Sequence, residues 1–396
     1  MKLKLLLIMI GVLFIGSGYE QVYAQTRNIF GASVDISVPP LPTGGCVSGT
    51  FNISIVGTTT IATIDAGTNA SMKDGPFESG NKGIGYVAAV NLAANAIQLV
   101  TMDLSTNPAS LITNASINAG NVPDSPNQVN GVFYDSTRAS GKYVFLSESG
   151  SGTCAVSACV HFRSYNGITN IVDTLTTTPN NTAGVIVSTV DSAGVSYASY
   201  NNATNNVVGK FNSAFALVGT TAAYTNAVSS LIAGNDGFVY GTVIVAGVLN
   251  ITKIDTSTLA VVNTVIAGTN GGTGIGYAGG FIYVGVTTGA NTKIQKYRVS
   301  DMAFQTEVVI TATAIVLTSG INIDTTNNKL YVVTSDAGAM QWRRLTISSL
   351  AVEQQVGLAF VPYAVGVGVD FIHQRLHQTS KNGSNQLQVT TVSLCS

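Results

Sequence analysis

Three histidines, His161, His373 and His377, are the first residues to test for chemistry. A metal triad needs ligands that converge, and nothing in their spacing brings these three together. Asp103, Asp255 and Asp301 recur in one turn of a repeated unit, and Asp135, Asp191, Asp324 and Asp370 fall near another. Turns select Asp because its carboxylate accepts backbone N–H groups, so repetition of this kind reads as structural. The remaining acids include Asp65, Asp74, Glu78, Asp124, Glu148 and Asp173. They are scattered, with no spacing that pairs two of them for general acid–base work. "TGIGYAGG" and "GTNGGTG" look like phosphate loops, but they open no helix and so lack its converging N–H groups. A Ser nucleophile elbow of the form G-x-S-x-G is absent from the sequence.

The four cysteines follow the first 24 residues, and their number is even. In an exported chain disulfides are the default. Pairing Cys154 with Cys159, and Cys46 with Cys395, is the preferred connectivity of the three possible. Zinc is the competing reading, and it fails on spacing and on the lack of a His pair near the cysteines.

Export is itself read from residues 1–24. Lys2 and Lys4 form a basic start, Leu5 to Ile15 an apolar run, and Val22-Tyr23-Ala24 a signal-peptidase site, which predicts cleavage after Ala24. An uncleaved anchor is the alternative. No second run approaches the ~18 apolar residues of a membrane span. Charged residues make up 9% of the chain, against about 25% in ordinary soluble domains. Without Lys2, Lys4 and Glu20 the mature chain keeps 18 − 2 = 16 basic and 19 − 1 = 18 acidic residues, a net charge of −2. Nucleic-acid binding needs clustered cations and is excluded on this ground. The surface must be built from Thr, Ser, Asn and Gly.

What would position any site is a repeat. Seven anchor positions, Tyr86, Val144, Tyr197, Tyr240, Tyr283, Tyr331 and His377, follow one another at 58, 53, 43, 43, 48 and 46 residues. Around each anchor stand a short apolar strand, a turn with Asp, Gly or Asn, the anchor strand, an alternating strand such as "ITKIDTS" or "IQKYRVS", and a last strand such as "LAVVNTV". Period-two alternation and β-branched residues argue for strands, and four strands every ~40–50 residues for propeller blades. The expectation is an all-β, seven-bladed β-propeller over residues 50–396, preceded by an extension over 25–49. The seventh unit ends after its third strand, so "TFNISIVGT" at 50–58 is expected to supply the fourth and close the ring.

Units such as "KIDTSTLAVVNTV" and "IDTTNNKLYVVTS" resemble the NHL and YVTN classes of propeller. The resemblance is one of repeat grammar over nearly the whole mature chain. It implies a circular scaffold whose ends and channel bind partners or substrates, and it carries over no activity. Hydrolytic propellers similar to this one hold a metal with carboxylates and Asn at the channel mouth, so a secreted lactonase-type hydrolase using Ca2+ is the alternative function. The reading favoured by the residues is a secreted binding or structural module without a cofactor. Its partner would be an extracellular glycan, a surface protein or another copy of itself, and its oligomeric state is left open.

Ligand-binding candidates come from the connections between units: Asp124, Asn127, Asn181, Tyr224, Phe360 and Tyr363. Rings beside amides and a carboxylate suit a sugar, and the competing reading is that the aromatics plug gaps between blades. Two insertions, 67–83 and 147–159, are the other loops on which function could reside. Seven acceptor sequons, at Asn52, Asn69, Asn114, Asn180, Asn202, Asn250 and Asn382, are no more than chance predicts in a chain so rich in Ser and Thr.

Overall fold

A computed structural model describes residues 54–394 apart from 66–70, 73–76, 79–83, 92–95, 107, 117–127, 136–141, 150–157, 167–170, 181–186, 203–204, 213–215, 269–273, 289–290, 312–320, 326, 337–338, 359–366 and 371–373. Within 62–99 and 113–180, and at a few positions elsewhere, only the backbone is described. The described elements are all strands.

Four blades follow one another as antiparallel meanders in chain order. The 187–220 blade runs Val187–Val190, Ser196–Asn201, Asn206–Phe211 and Leu217–Thr220. The 228–268 blade runs Val228–Ala233, Phe238–Val245, Val248–Asp255 and Val261–Gly268. The 275–311 blade runs Ile275–Ala278, Phe281–Thr288, Asn291–Arg298 and Ala303–Thr311. The 322–358 blade runs Asn322–Asp324, Lys329–Asp336, Ala339–Thr346 and Val352–Leu358. A fifth sheet joins Val367–Asp370, Arg375–Lys381 and Gln386–Ser393 to Ser54–Asp65, which pairs antiparallel with Gln386–Ser393 from Ser54↔Ser393 to Asp65↔Gln386. These five sheets are the most fully described. The earlier strands pair as Phe77–Glu78, Ile84–Asn91, Ala96–Asp103 and Ser110–Ser116, and as Gln128–Asp135, Lys142–Ser149, Ala158–Asn166 and Ile171–Asn180. Ser71–Met72 lies parallel to the start of Gln128–Asp135. This is the repeat architecture of a β-propeller.

Each anchor read from the repeat falls in the second strand of its sheet, from Tyr86 in Ile84–Asn91 to His377 in Arg375–Lys381. The reason is packing. Tyr197 is buried with Val239, Ile254 and Leu259 of the following blade. Tyr240 is buried with Ile282, Val284 and Tyr297 of the next, and Tyr283 with Leu330, Val332 and Leu345 of the one after. In these three seams a large flat ring at one fixed place fills the wedge between adjacent blades, and burying each ring contributes about 2–3 kcal/mol.

The turn from third to fourth strand carries a second device. Leu259, Met302 and Leu350 take left-handed backbone conformations, with φ near 60°, at the same place in three blades. That geometry costs any residue with a Cβ about 1–2 kcal/mol. It persists because each side chain is buried in the apolar cluster of its seam, a gain of similar or larger size.

Candidate functional site

The carboxylates whose side chains are described are engaged by the scaffold. Asp191 Oδ1 accepts the N–H groups of Ala193 at 2.9 Å and Val195 at 3.0 Å, and its Oδ2 accepts the Tyr197 hydroxyl at 3.1 Å. Asp236 repeats the arrangement, accepting from Phe238 N and, at 2.5 Å, from the Tyr240 hydroxyl. Burial, reinforced by the neighbouring Asp charge, pushes both phenols well above their ordinary pKa. Asp324 accepts from the backbone and side chain of Asn327. Asp255 sits at the other turn, where the Ser257 hydroxyl and the Ser257 and Thr258 N–H groups lower its pKa to about 2. Asp301 is held at about 2 by the Arg298 guanidinium and the Ala303 N–H. Two glutamates bind cations across strands: Glu307 with Lys293 at 2.5 Å, and Glu353 with Lys329 at 2.6 Å and Arg344 at 2.9 Å. Among the described residues no group of three or more His, Cys, Asp or Glu side chains is placed to hold a metal ion.

A cationic latch crosses the seams, and sequence reasoning missed it. In the four blades from 187 to 358, the residue directly opposite the anchor Tyr is Lys210, Lys253, Lys296 or Arg344. Lys210 Nζ donates to Thr256 O at 2.7 Å, Lys253 Nζ to Val299 O at 2.6 Å, and Lys296 Nζ to Ile347 O at 3.5 Å. Each acceptor lies in the third-to-fourth turn of the next blade. The ammonium of Lys253 sits 3.9 Å from the Phe238 ring centre, and that of Lys296 4.2 Å from Phe281. Burial lowers the Lys296 pKa. The signal was in "GKFNS", "TKIDTS", "QKYRVS" and "RRLTIS", where a cation recurs at 43, 43 and 48 residues.

Thr101 stands opposite Tyr86 and Ser164 opposite Val144, and the last sheet departs from this rule as well. Its anchor is His377, fully buried, with Nδ1 3.3 Å from Thr391 Oγ1. Thr391 occupies the latch position and accepts the Ala109 N–H at 2.8 Å. The cation comes instead from Arg375, whose Nη1 donates to Leu104 O at 2.5 Å and Thr106 O at 2.9 Å. On the other side, Trp342 Nε1 donates to buried Gln378 Oε1 at 2.7 Å. His377 thus stands in a seam, away from any second histidine among the described residues whose side chains are placed; His161 is described through its backbone in Ala158–Asn166, and His373 lies outside the described residues.

Of the candidate ligand residues, Asp124, Asn127, Asn181, Phe360 and Tyr363 lie outside the described residues. Tyr224 is half-buried, and its backbone N–H donates to Asn206 O at 2.7 Å. Its ring packs against the cluster between the 187–220 and 228–268 blades. Its hydroxyl is enclosed near Thr221 and Thr252 without a hydrogen bond of normal geometry. Cys46, Cys154 and Cys395 also fall outside, and Cys159 is described through its backbone, paired with Pro179. Among the sequons, Asn52 and Asn69 fall outside, and Asn114 and Asn180 lie in strands described through their backbone. Asn202 Oδ1 accepts from Asn205 N, Asn250 Nδ2 donates to Val248 O, and Asn382 Oδ1 accepts from Ser384 N and Gln386 N.

The surface that does stand out is the outer rim. Just after the third-to-fourth turn, successive outer strands expose Leu111 and Ile112, Leu217 and Val218, Val261 and Val262, Phe304, and Val352. Ile266, farther along its strand, is 73% exposed. Sequence alternation placed these residues on strands without saying that the outer strand has no neighbour to cover it.

No family model matches the chain, and no curated relative matches it. Its backbone is similar to that of a chain in a solved structure entitled "Crystal Structure of Mitotic Checkpoint Complex", with a TM-score of 0.61 and 10% sequence identity over 93% of this chain and 100% of that one. At that identity the likeness concerns the fold alone, and the fold is a β-propeller.

Proposed function

We propose that this chain is a secreted, seven-bladed propeller, closed through Ser54–Asp65, that works outside the cell as a binding or structural module for a glycan, a surface protein or another copy of itself. The observation that carries the reading is the division of labour among its side chains. Asp191, Asp236, Asp255, Asp301, Asp324, Glu307 and Glu353 are engaged in turns, clasps and ion pairs, while uncharged side chains stand exposed on the outer strands. Acids held in this way among the described residues, beside a neutral exposed surface, suit contact rather than acid–base chemistry.

The blade count rests on the seven anchors. Closure is supported by the pairing of Ser54–Asp65 with the last strand and by the bonds from Arg375 and Thr391 to residues 104–109. Export, the Cys46–Cys395 and Cys154–Cys159 bridges and any use of the sequons belong to the same proposal. The test is a glycan array, with metal analysis, on the mature protein made by a secreting host. Selective glycan or cell-surface binding by metal-free protein supports the reading. Stoichiometric Ca2+ together with lactone hydrolysis would replace it with the hydrolase.

A further inference from the structure

We propose that Val261–Gly268 pairs edge to edge with the same strand of a second copy of this chain, about a twofold axis through Thr264. This rests on the module reading above and names one partner for it. The strand is the last in its sheet, so one row of its N–H and C=O groups has no strand beside it. Such an edge templates pairing unless it is short, charged or covered.

The neighbouring outer strands are protected and this one is not. Leu217–Thr220 has four residues. Ala303–Thr311 carries Glu307 and Val352–Leu358 carries Glu353, each in an ion pair. Val261–Gly268 spans eight residues, "VVNTVIAG", without a charge. Its register breaks fall at Val262 and Ala267, leaving Asn263 to Ile266 in regular pairing with Lys253 to Asn250. On its exposed face stand Val262, 51% exposed, Thr264, and Ile266, 73% exposed.

That sequence is nearly self-complementary. In an antiparallel pair centred on Thr264, Val262 lies opposite Ile266 of the second copy and Ile266 opposite its Val262, with Thr264 facing Thr264. Apolar meets apolar on both sides of a Thr–Thr pair, a favourable cross-strand arrangement, and an isologous contact requires this self-matching. Charge selects the same occupant. A neutral edge meets its own copy without like-charge repulsion, and it offers a charged partner no counter-ion.

The register gives the test. Residues opposite one another have Cα atoms about 5 Å apart, within disulfide reach, whereas Val262 and its own copy would be separated by on the order of 14 Å. Full-length Val262→Cys and Ile266→Cys proteins, mixed with oxidised glutathione, are expected to cross-link to each other and neither to itself, while Thr264→Cys cross-links to itself. Sedimentation of the unmodified protein should show a dimer, and Thr264→Lys should weaken it by about tenfold or more by setting like charges face to face. The position is exposed, so an unchanged melting curve confirms that this variant folds. A monomer at all concentrations, self-linking of Val262→Cys, or a dimer indifferent to Thr264→Lys would overturn the proposal. Glycan binding by a strictly monomeric protein would overturn it while leaving the module reading in place.

Discussion

Replacing Lys253 by Met isolates the latch between blades. Met keeps most of the apolar stem and removes the ammonium, which is bonded to Val299 O at 2.6 Å and lies over the Phe238 ring. Lys253 is 8% exposed, so the bond is shielded from solvent. A hydrogen bond from a charged donor contributes about 1.5–3 kcal/mol, and the ring contact about 0.5–1 kcal/mol more. Against this stands the cost of holding an ammonium out of water, which the variant recovers in part. The net expectation is a loss of about 2 kcal/mol, a fall of about 30-fold in the folded-to-unfolded ratio. Urea unfolding would show it as a lower midpoint at unchanged slope. Lys296→Met is the internal control. Its contact to Ile347 O is 3.5 Å and its side chain is less buried, so it should cost distinctly less. A loss below about 0.5 kcal/mol for Lys253→Met, or equal losses for the two variants, would refute the argument that the bond itself holds the seam.

Gly276→Ala should destabilise by about 1–3 kcal/mol, because a Cβ there meets Ile321 O and Ile323 Cδ1, both at 3.0 Å, in the next blade; a calorimetric scan checks it. Trp342→Phe removes the bond to Gln378 and should cost about 1–3 kcal/mol in a denaturant titration followed by circular dichroism. Asp255 and Asp301, both near 2 when folded against 3.8 ordinarily, bind protons more tightly in the unfolded chain. Their contribution is therefore present above about pH 4 and lost as pH falls towards 2. Asp255→Asn, whose amide oxygen still accepts from the turn, should flatten that acid slope in stability measured across pH 2–5.

The anchors were legible because a Tyr or its substitute must fill one wedge per blade, and a spacing of 43 residues between Tyr197, Tyr240 and Tyr283 declares it. The Asp turns were legible for the same reason: Asp255 and Asp301 serve backbone N–H groups a few residues away. The latch was not. Lys253 and Val299 are 46 residues apart, and a lysine on an alternating strand reads as solvent-facing until the next blade is placed against it. Nor could sequence show that Tyr224, offered as a sugar platform, packs into a seam, since half-buried aromatic rings serve both ends. The exposure of Val262 and Ile266 depends on which strand is outermost, a property of sheet order and not of residue pattern.

The latches all point the same way around the scaffold. Lys210, Lys253 and Lys296 each reach forward to a main-chain carbonyl of the following unit, and a carbonyl is present whatever residue occupies that position. A unit copied in tandem would therefore arrive with its own forward bond and would find a receptor already waiting. Gain or loss of a whole unit by recombination leaves these joints intact. The junction made by Arg375, His377 and Thr391 uses a different cation and anchor, yet Arg375 too donates to main-chain carbonyls, those of Leu104 and Thr106.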